Sequence, residues 1–313
     1  ATGSDIGGSI RIPASQNGVI GFKPPYGRVP GFSPWNLDDY CHDGPMARTV
    51  DDVILCENHM AGPHERGVVS LCPTLTLPTE YEAVRGMRVA LVTDFGYRDV
   101  DEDVLSNTEA AAERLRSLGV HVEPVALAWS DAVDEAALDH LCALAGNRVL
   151  KELAQAGVPP DSEELNPYIR GFLARVPGVT LQDFLHSRDV ESAMYNDIGP
   201  LLKDYDALLC PTMALASVPA DWDWTEGPLT INGIEQPQRL ASDAMTHYFN
   251  MLSRCPVLSV PSGFDRNGVP TGVQLVAAPY RDEVVFRLAK AWESTHALFV
   301  DGAFPDLRGA PGG

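Results

Sequence analysis

The sequence predicts an α/β fold, a mixed sheet with helices on both faces, and three observations carry that prediction. Short apolar strand-like runs alternate with longer stretches whose apolar residues recur every three or four positions. At 313 residues the chain is long enough to bury roughly 75% of the surface its unfolded form exposes. No internal repeat, low-complexity stretch or linker divides it, so residues 1–313 read as a single domain.

The elements follow in order. Val19–Lys23 is a strand between the Asn17-Gly18 turn and Pro24-Pro25. Thr49–Met60 is a helix, with Thr49 and Asp52 forming a capping box and Gly62-Pro63 stopping it. Arg88–Val92 is a strand, Val104–Leu118 a helix closed by Gly119, and Val120–Val125 a strand. Asp101-Glu102-Asp103 serves the positive end of that helix. Helical spacing covers Ala132–Ala156 and Leu181–Lys203. Then come a strand at Ala207–Cys210, a helix at Ala244–Arg254, strands at Val257–Val260 and Val273–Val276, and a helix at Asp282–Glu293. The Gly- and Pro-rich tail Pro305–Gly313 is expected to be loose.

Composition excludes several classes. Apolar residues make up 45% and charged residues 21%, which is globular rather than disordered. No uninterrupted apolar run approaches the roughly 18 residues of a membrane span. A net charge of −20 repels phosphate backbones and argues against nucleic-acid binding. The six cysteines are far apart and contain no CxxC pair, which fits reduced core residues in the cytoplasm. The chain opens on Ala1 with neither a basic start nor an apolar stretch, so no signal peptide is expected and a fragment is.

Metal and phosphate motifs are poor. His59 and His64 straddle Gly62-Pro63, and His140 and Cys142, two apart on a helix, point in different directions. Asp38-Asp39 and Asp221 with Asp223 read as solvated loop acids rather than glycosidase carboxylates. No Walker or dinucleotide glycine loop exists. The informative segment is the first, Gly3-Ser4-Asp5-Ile6-Gly7-Gly8-Ser9-Ile10-Arg11-Ile12-Pro13. Two adjacent glycines turn the backbone tightly and bare several N–H groups beside a serine at a helix start. That pattern can hold an oxyanion while a hydroxyl attacks a carbonyl; it can equally be a glycine turn with Ser9 as a helix cap. Asp5 and Arg11 either pair to brace the turn or both face solvent.

Gly3–Pro13 resembles the amidase signature family, whose members share a glycine- and serine-rich stretch ending in D-x-G-G-S-x-R-x-P. The resemblance continues through Gly18–Val29, Gly44–Asp52, Tyr205–Thr212 and Cys255–Ala278, in family order across nearly the whole chain. It implies amide hydrolysis through an acyl-enzyme on Ser9, without metal or organic cofactor. The backbone N–H groups of Ile6, Gly7, Gly8 and Ser9 would form the oxyanion hole. Asp5 and Arg11 would support the loop, and Ser4 would sit beside it. Residues 95–200 would be a variable helical region shaping the substrate pocket, with Trp222 and Trp224 lining an entrance or else covering the core.

In the family, the base, a neutral lysine, and the serine on a cis peptide that bridges it to the nucleophile both precede that nucleophile. Only eight residues stand before Ser9, so neither has its place here, and Lys23 in GFKPP matches a family lysine without catalytic duty. The expectation is the C-terminal two-thirds of an amidase, weakly active or inactive alone. Its partners would be a small-molecule amide, with no nucleic acid and no membrane, and an N-terminal segment or a second copy. Two alternatives stand beside it: a glutamine- or asparagine-dependent amidotransferase component, and a non-catalytic remnant.

Overall fold

Strand order places the first residues of the chain at one edge of a mixed sheet. The computed structural model describes residues 1–295, and the tail Pro305–Gly313 lies outside them. In chain order the first elements are β1 (Thr2–Asp5), α1 (Arg11–Gln16), β2 (Ile20–Lys23), β3 (His42–Ala47) and α2 (Val50–Met60). There follow β4 (Arg88–Leu91), α3 (Glu102–Ser117), β5 (His121–Pro124), α4 (Ala132–Leu141), α5 (Asn147–Ala156), α6 (Pro167–Arg175) and α7 (Leu181–Asp204). The last are β6 (Ala207–Pro211), β7 (Thr230–Ile231), β8 (Ile234–Glu235), α8 (Tyr248–Met251), β9 (Val257–Phe264), β10 (Pro270–Ala277) and α9 (Asp282–Glu293).

Among the described residues the main sheet has eight strands in the order β1-β3-β2-β9-β10-β6-β4-β5, and β7 and β8 form a separate hairpin. Pairs from β1 to β6 are antiparallel, whereas β4 runs parallel to both β6 and β5. Side chains alternate across the strands, so each strand feeds two cores. Leu258, Leu275 and Leu209 pack with α2, α3 and α9 on one face. Val257, Val276 and Leu208 pack with α4, α7 and α8 on the other.

Capping explains several boundaries. Thr49 accepts a hydrogen bond from the Asp52 N–H at 3.1 Å, one half of the predicted box. Asp101 caps α3 by accepting from the Asp103 N–H, and Gly119 ends that helix with φ +84°.

Three expectations are corrected. The helix predicted over Ala132–Ala156 is interrupted by a π-helical turn at Cys142–Gly146. Gly146 there admits Val176, whose Cγ2 would lie 2.5 Å from an added Cβ. The helix predicted over Ala244–Arg254 shrinks to the four residues Tyr248–Met251, because polar groups on either side of it are engaged elsewhere, as described below. Asp38 and Asp39 are not solvated: Asp38 accepts from His140 Nε2 at 2.9 Å, and Arg188 grips Asp39 with two bonds of 3.1 Å. The strands β1 and β3, α6, and the β7–β8 hairpin had no counterpart in the sequence reading.

Candidate active site

Ser9 stands in the turn between β1 and α1. β1 delivers Asp5 to the end of an edge strand, and the chain then bends through Ile6, Gly7 and Gly8 into the six-residue α1. Ser9 is exposed and is not the cap of α1: Ile10 holds that position, with no side-chain cap bond. Instead, the Ile10 N–H donates to Asp5 Oδ2 at 3.3 Å and the Ile12 N–H to the Gly8 carbonyl at 2.7 Å.

Among the described residues, the N–H groups of Ile6, Gly7, Gly8 and Ser9 donate to no protein acceptor. Successive free donors of this kind beside an exposed hydroxyl are a pattern that attracts anions.

A buried ion pair holds this turn. Arg11 donates to both Asp5 oxygens, at 2.9 and 3.0 Å, and neither side chain is reached by solvent. Burial by itself would raise the Asp5 carboxyl, but the charge and hydrogen bonds of Arg11, helped by Asn250, hold it well below the usual carboxylate range. The remaining guanidinium bonds reach the Thr246 carbonyl, Gln274 Oε1 and Asn250 Oδ1 at 2.7–2.8 Å. All five N–H donors of Arg11 therefore have acceptors. Asn250 Nδ2 also donates to Asp5 Oδ1 and to the carbonyls of Asp5 and Tyr40. The structure thus pairs Asp5 and Arg11 instead of exposing them.

The sequence reading did not single out Thr246, Asn250 or Gln274. They lie 235 to 263 residues from Arg11, so no local spacing signals them. Thr246 also donates its hydroxyl to the Gly7 carbonyl at 2.6 Å.

Ser4, Asp5 and Ile6 line a cavity of about 530 Å³, closed by Tyr26, Phe32, Trp35 and His42 among others. Lys23 lies behind it, fully buried. Its Nζ donates to the carbonyls of Pro24, Ser253 and Cys255 and lies 3.4 Å from His42 Nε2. Burial, reinforced by the Arg11 charge, pushes this lysine down to about 7, and burial with the Lys23 charge pushes His42 down to about 3. The polar contacts of Lys23 among the described residues are those three carbonyls and His42, and none of them is with Ser9.

Neither tryptophan is exposed. Trp222 packs against the core beneath α7 and α8. Trp224 lies on Gly171 of α6 and meets Tyr168 edge-on, with ring centroids 6.4 Å apart. Among the described residues, both indole N–H groups lack a partner. Among potential metal ligands, the described residues bring together Asp38, Asp39 and His140 within 4.8 Å. Arg188 and Arg254 already neutralise Asp39, so the group is a poor cation site. No helix among the described residues is long and apolar enough to cross a membrane.

Comparison with known proteins agrees with this architecture. The chain is 31% identical to a glutamyl-tRNA(Gln) amidotransferase subunit of Levilactobacillus brevis, covering 94% of this chain and 63% of that protein. It is 27% identical to an acylamidase of Rhodococcus erythropolis, covering 94% and 61%. A bacterial aryl acylamidase structure superposes with a TM-score of 0.85 at 28% identity, over 95% of this chain and 62% of that one. The corresponding amidotransferase subunit of Thermotoga maritima gives a TM-score of 0.69 at 26% identity, over 97% and 64%. The chain therefore spans somewhat under two-thirds of the length of these relatives. A family model for amidases matches residues 1–286, and the chain belongs to the amidase family.

Proposed function

We propose that Ser9 is the nucleophile of an amide hydrolase and that the N–H groups of Ile6, Gly7, Gly8 and Ser9 form its oxyanion hole. Four successive N–H groups without acceptors among the described residues, beside an exposed serine on a braced turn, carry this reading. Ser9 Oγ attacks the amide carbonyl, the free N–H groups hold the oxygen as it gains charge, and the amine leaves with a proton. Water then releases the acid from Ser9. Asp5 and Arg11 hold the loop, and Ser4 lies beside it.

Removing the hydroxyl proton requires a neutral base. We assign that role to a lysine and a bridging cis-peptide serine outside these 313 residues, so this chain alone is weakly active or inactive. The substrate is a small-molecule amide, with no metal, organic cofactor, nucleic acid or membrane involved, and the setting is the cytoplasm, in line with six free cysteines. An N-terminal or separate segment carrying that base would complete the site.

The test is mass-spectrometric detection of a fluorophosphonate adduct. The reading expects slow modification of Ser9 that Ser9→Ala abolishes. An intact fold with no adduct on Ser9, even in the assembly that carries the base, would leave a non-catalytic remnant. The similarity to amidotransferase subunits favours a second reading, in which the same site releases ammonia from glutamine or asparagine for a partner. It predicts glutaminase activity only within a heterocomplex.

A further inference from the structure

We propose that Thr246 is a positioning residue of this site, polarising the Gly7–Gly8 peptide whose N–H is one of the oxyanion donors. The inference rests on Ser9 being the nucleophile. The Thr246 hydroxyl donates to the Gly7 carbonyl at 2.6 Å. That carbonyl and the Gly8 N–H belong to one peptide unit, so a hydrogen bond accepted at the oxygen strengthens the N–H as a donor. Turnover would gain most from this when charge develops on the substrate oxygen, in the transition state.

The surroundings are built for this contact. Gly8 takes φ +133°, and a Cβ there would lie 2.0 Å from Thr246 Oγ1 and 2.7 Å from its Cβ. Only glycine lets the peptide approach the threonine so closely. Thr246 is fully buried, and its own carbonyl accepts from Arg11 Nη1 at 2.7 Å. The flanking chain is anchored too: His247 Nε2 lies 2.6 Å from Asp134 Oδ1, and Arg98 donates to the carbonyls of Ser242 and Ala244. The same guanidinium that braces Asp5 therefore fixes the residue that grips Gly7, so the hydroxyl stays aimed at one oxygen.

Thr246→Val keeps the shape and removes the hydroxyl, while Thr246→Ser keeps the hydroxyl and removes a methyl group. Outright loss of one oxyanion donor costs about 10²–10³-fold in kcat, and weakening one should cost on the order of 10-fold. The expectation is that fall in kcat for Val, in the assembly that turns over, with KM little changed and Ser close to wild type. Selective ¹⁵N-glycine labelling of this chain supplies a readout independent of turnover. The Gly8 amide proton should move upfield in Val and stay in place in Ser.

A Val variant matching wild type in the Gly8 shift would overturn the proposal, as would a Ser variant displaced as far as Val. Should wild type show neither turnover nor a Ser9 adduct, the assignment of Ser9 fails, and the Gly8 shift still decides whether Thr246 polarises the peptide.

Discussion

Arg11 and Asp5 face each other across the Ser9 turn in a two-point ion pair closed to solvent on both sides. The pair is a structural centre more than a local brace, because Arg11 also reaches β10 through Gln274 and the chain around α8 through Thr246 and Asn250. Removing one member of such a pair leaves a buried charge uncompensated, which costs about 3–5 kcal/mol. Arg11→Met should lose that much in urea unfolding. Arg11→Lys should recover little, since an ammonium cannot supply five donors in a plane.

Lys23 should give stability an upward slope with pH. In the folded chain its amine titrates at about 7 against the ordinary 10.5. Between those values the unfolded state holds the extra proton, so stability rises with pH by at most about 1.4 kcal/mol per unit. Lys23→Met should lose that part of the slope. Parallel slopes for the two proteins between pH 8 and 10 in denaturant titrations would contradict the assignment.

Glu57 predicts the opposite sign. Both its carboxyl oxygens are buried without a partner among the described residues, and burial, with the nearby Asp282 charge, pushes the group up to about 8. The folded state keeps a proton that the unfolded state releases above 4.5, so this group lowers stability as pH rises from 4.5 towards 8. Glu57→Met removes an unsatisfied polar group while keeping a similar length and should stabilise by about 1–3 kcal/mol. Thermal unfolding at pH 7.5 reads this directly.

Trp222 and Trp224 allow a kinetic prediction. If they shape an acyl pocket, replacing both by Ala raises KM for bulky amides more than for small ones. Their packing on α6 and on the core favours a general loss of stability instead. Equal KM changes for both substrate sizes, with a lowered Tm, would remove them from the pocket.

Much of the fold could be read from local pattern. Asp282–Glu293 forms a helix with the predicted bounds, and α2 begins at its predicted cap. These segments carry their own periodicity and end signals, so distant contacts were not needed to place them. β3 escaped because His42–Ala47 includes Gly44 and Pro45 and has no apolar alternation. Gly44 is required there by close approach, since an added Cβ would lie 2.3 Å from the Phe22 carbonyl.

The Ala244–Arg254 helix failed for a related reason. Apolar spacing favours a helix, but on either side of α8 the backbone carbonyls of Ser242, Ala244 and Thr246, and of Ser253 and Cys255, accept from Arg98, Arg11 and Lys23, which lie far away in sequence. Tertiary demand outweighed local preference. Ser9 and its glycines were visible as a motif, whereas the residues that clamp them leave no trace in spacing. Lys23 reads locally as the last residue of a strand. Its burial depends on carbonyls of Ser253 and Cys255, which only strand pairing brings near.

The long span of the Arg11 contacts also sets an order of events. Asp5 and Arg11 are synthesised first, but the acceptors at Thr246, Asn250 and Gln274 emerge 235 to 263 residues later. At about 5–20 residues per second, the ribosome holds that interval open for at least ten seconds or so. During that time the guanidinium has only Asp5 to bind among its eventual partners. The Ser9 turn therefore takes its final shape late in translation, and a chain ending before residue 246 would carry Ser9 on a loop without those clamps.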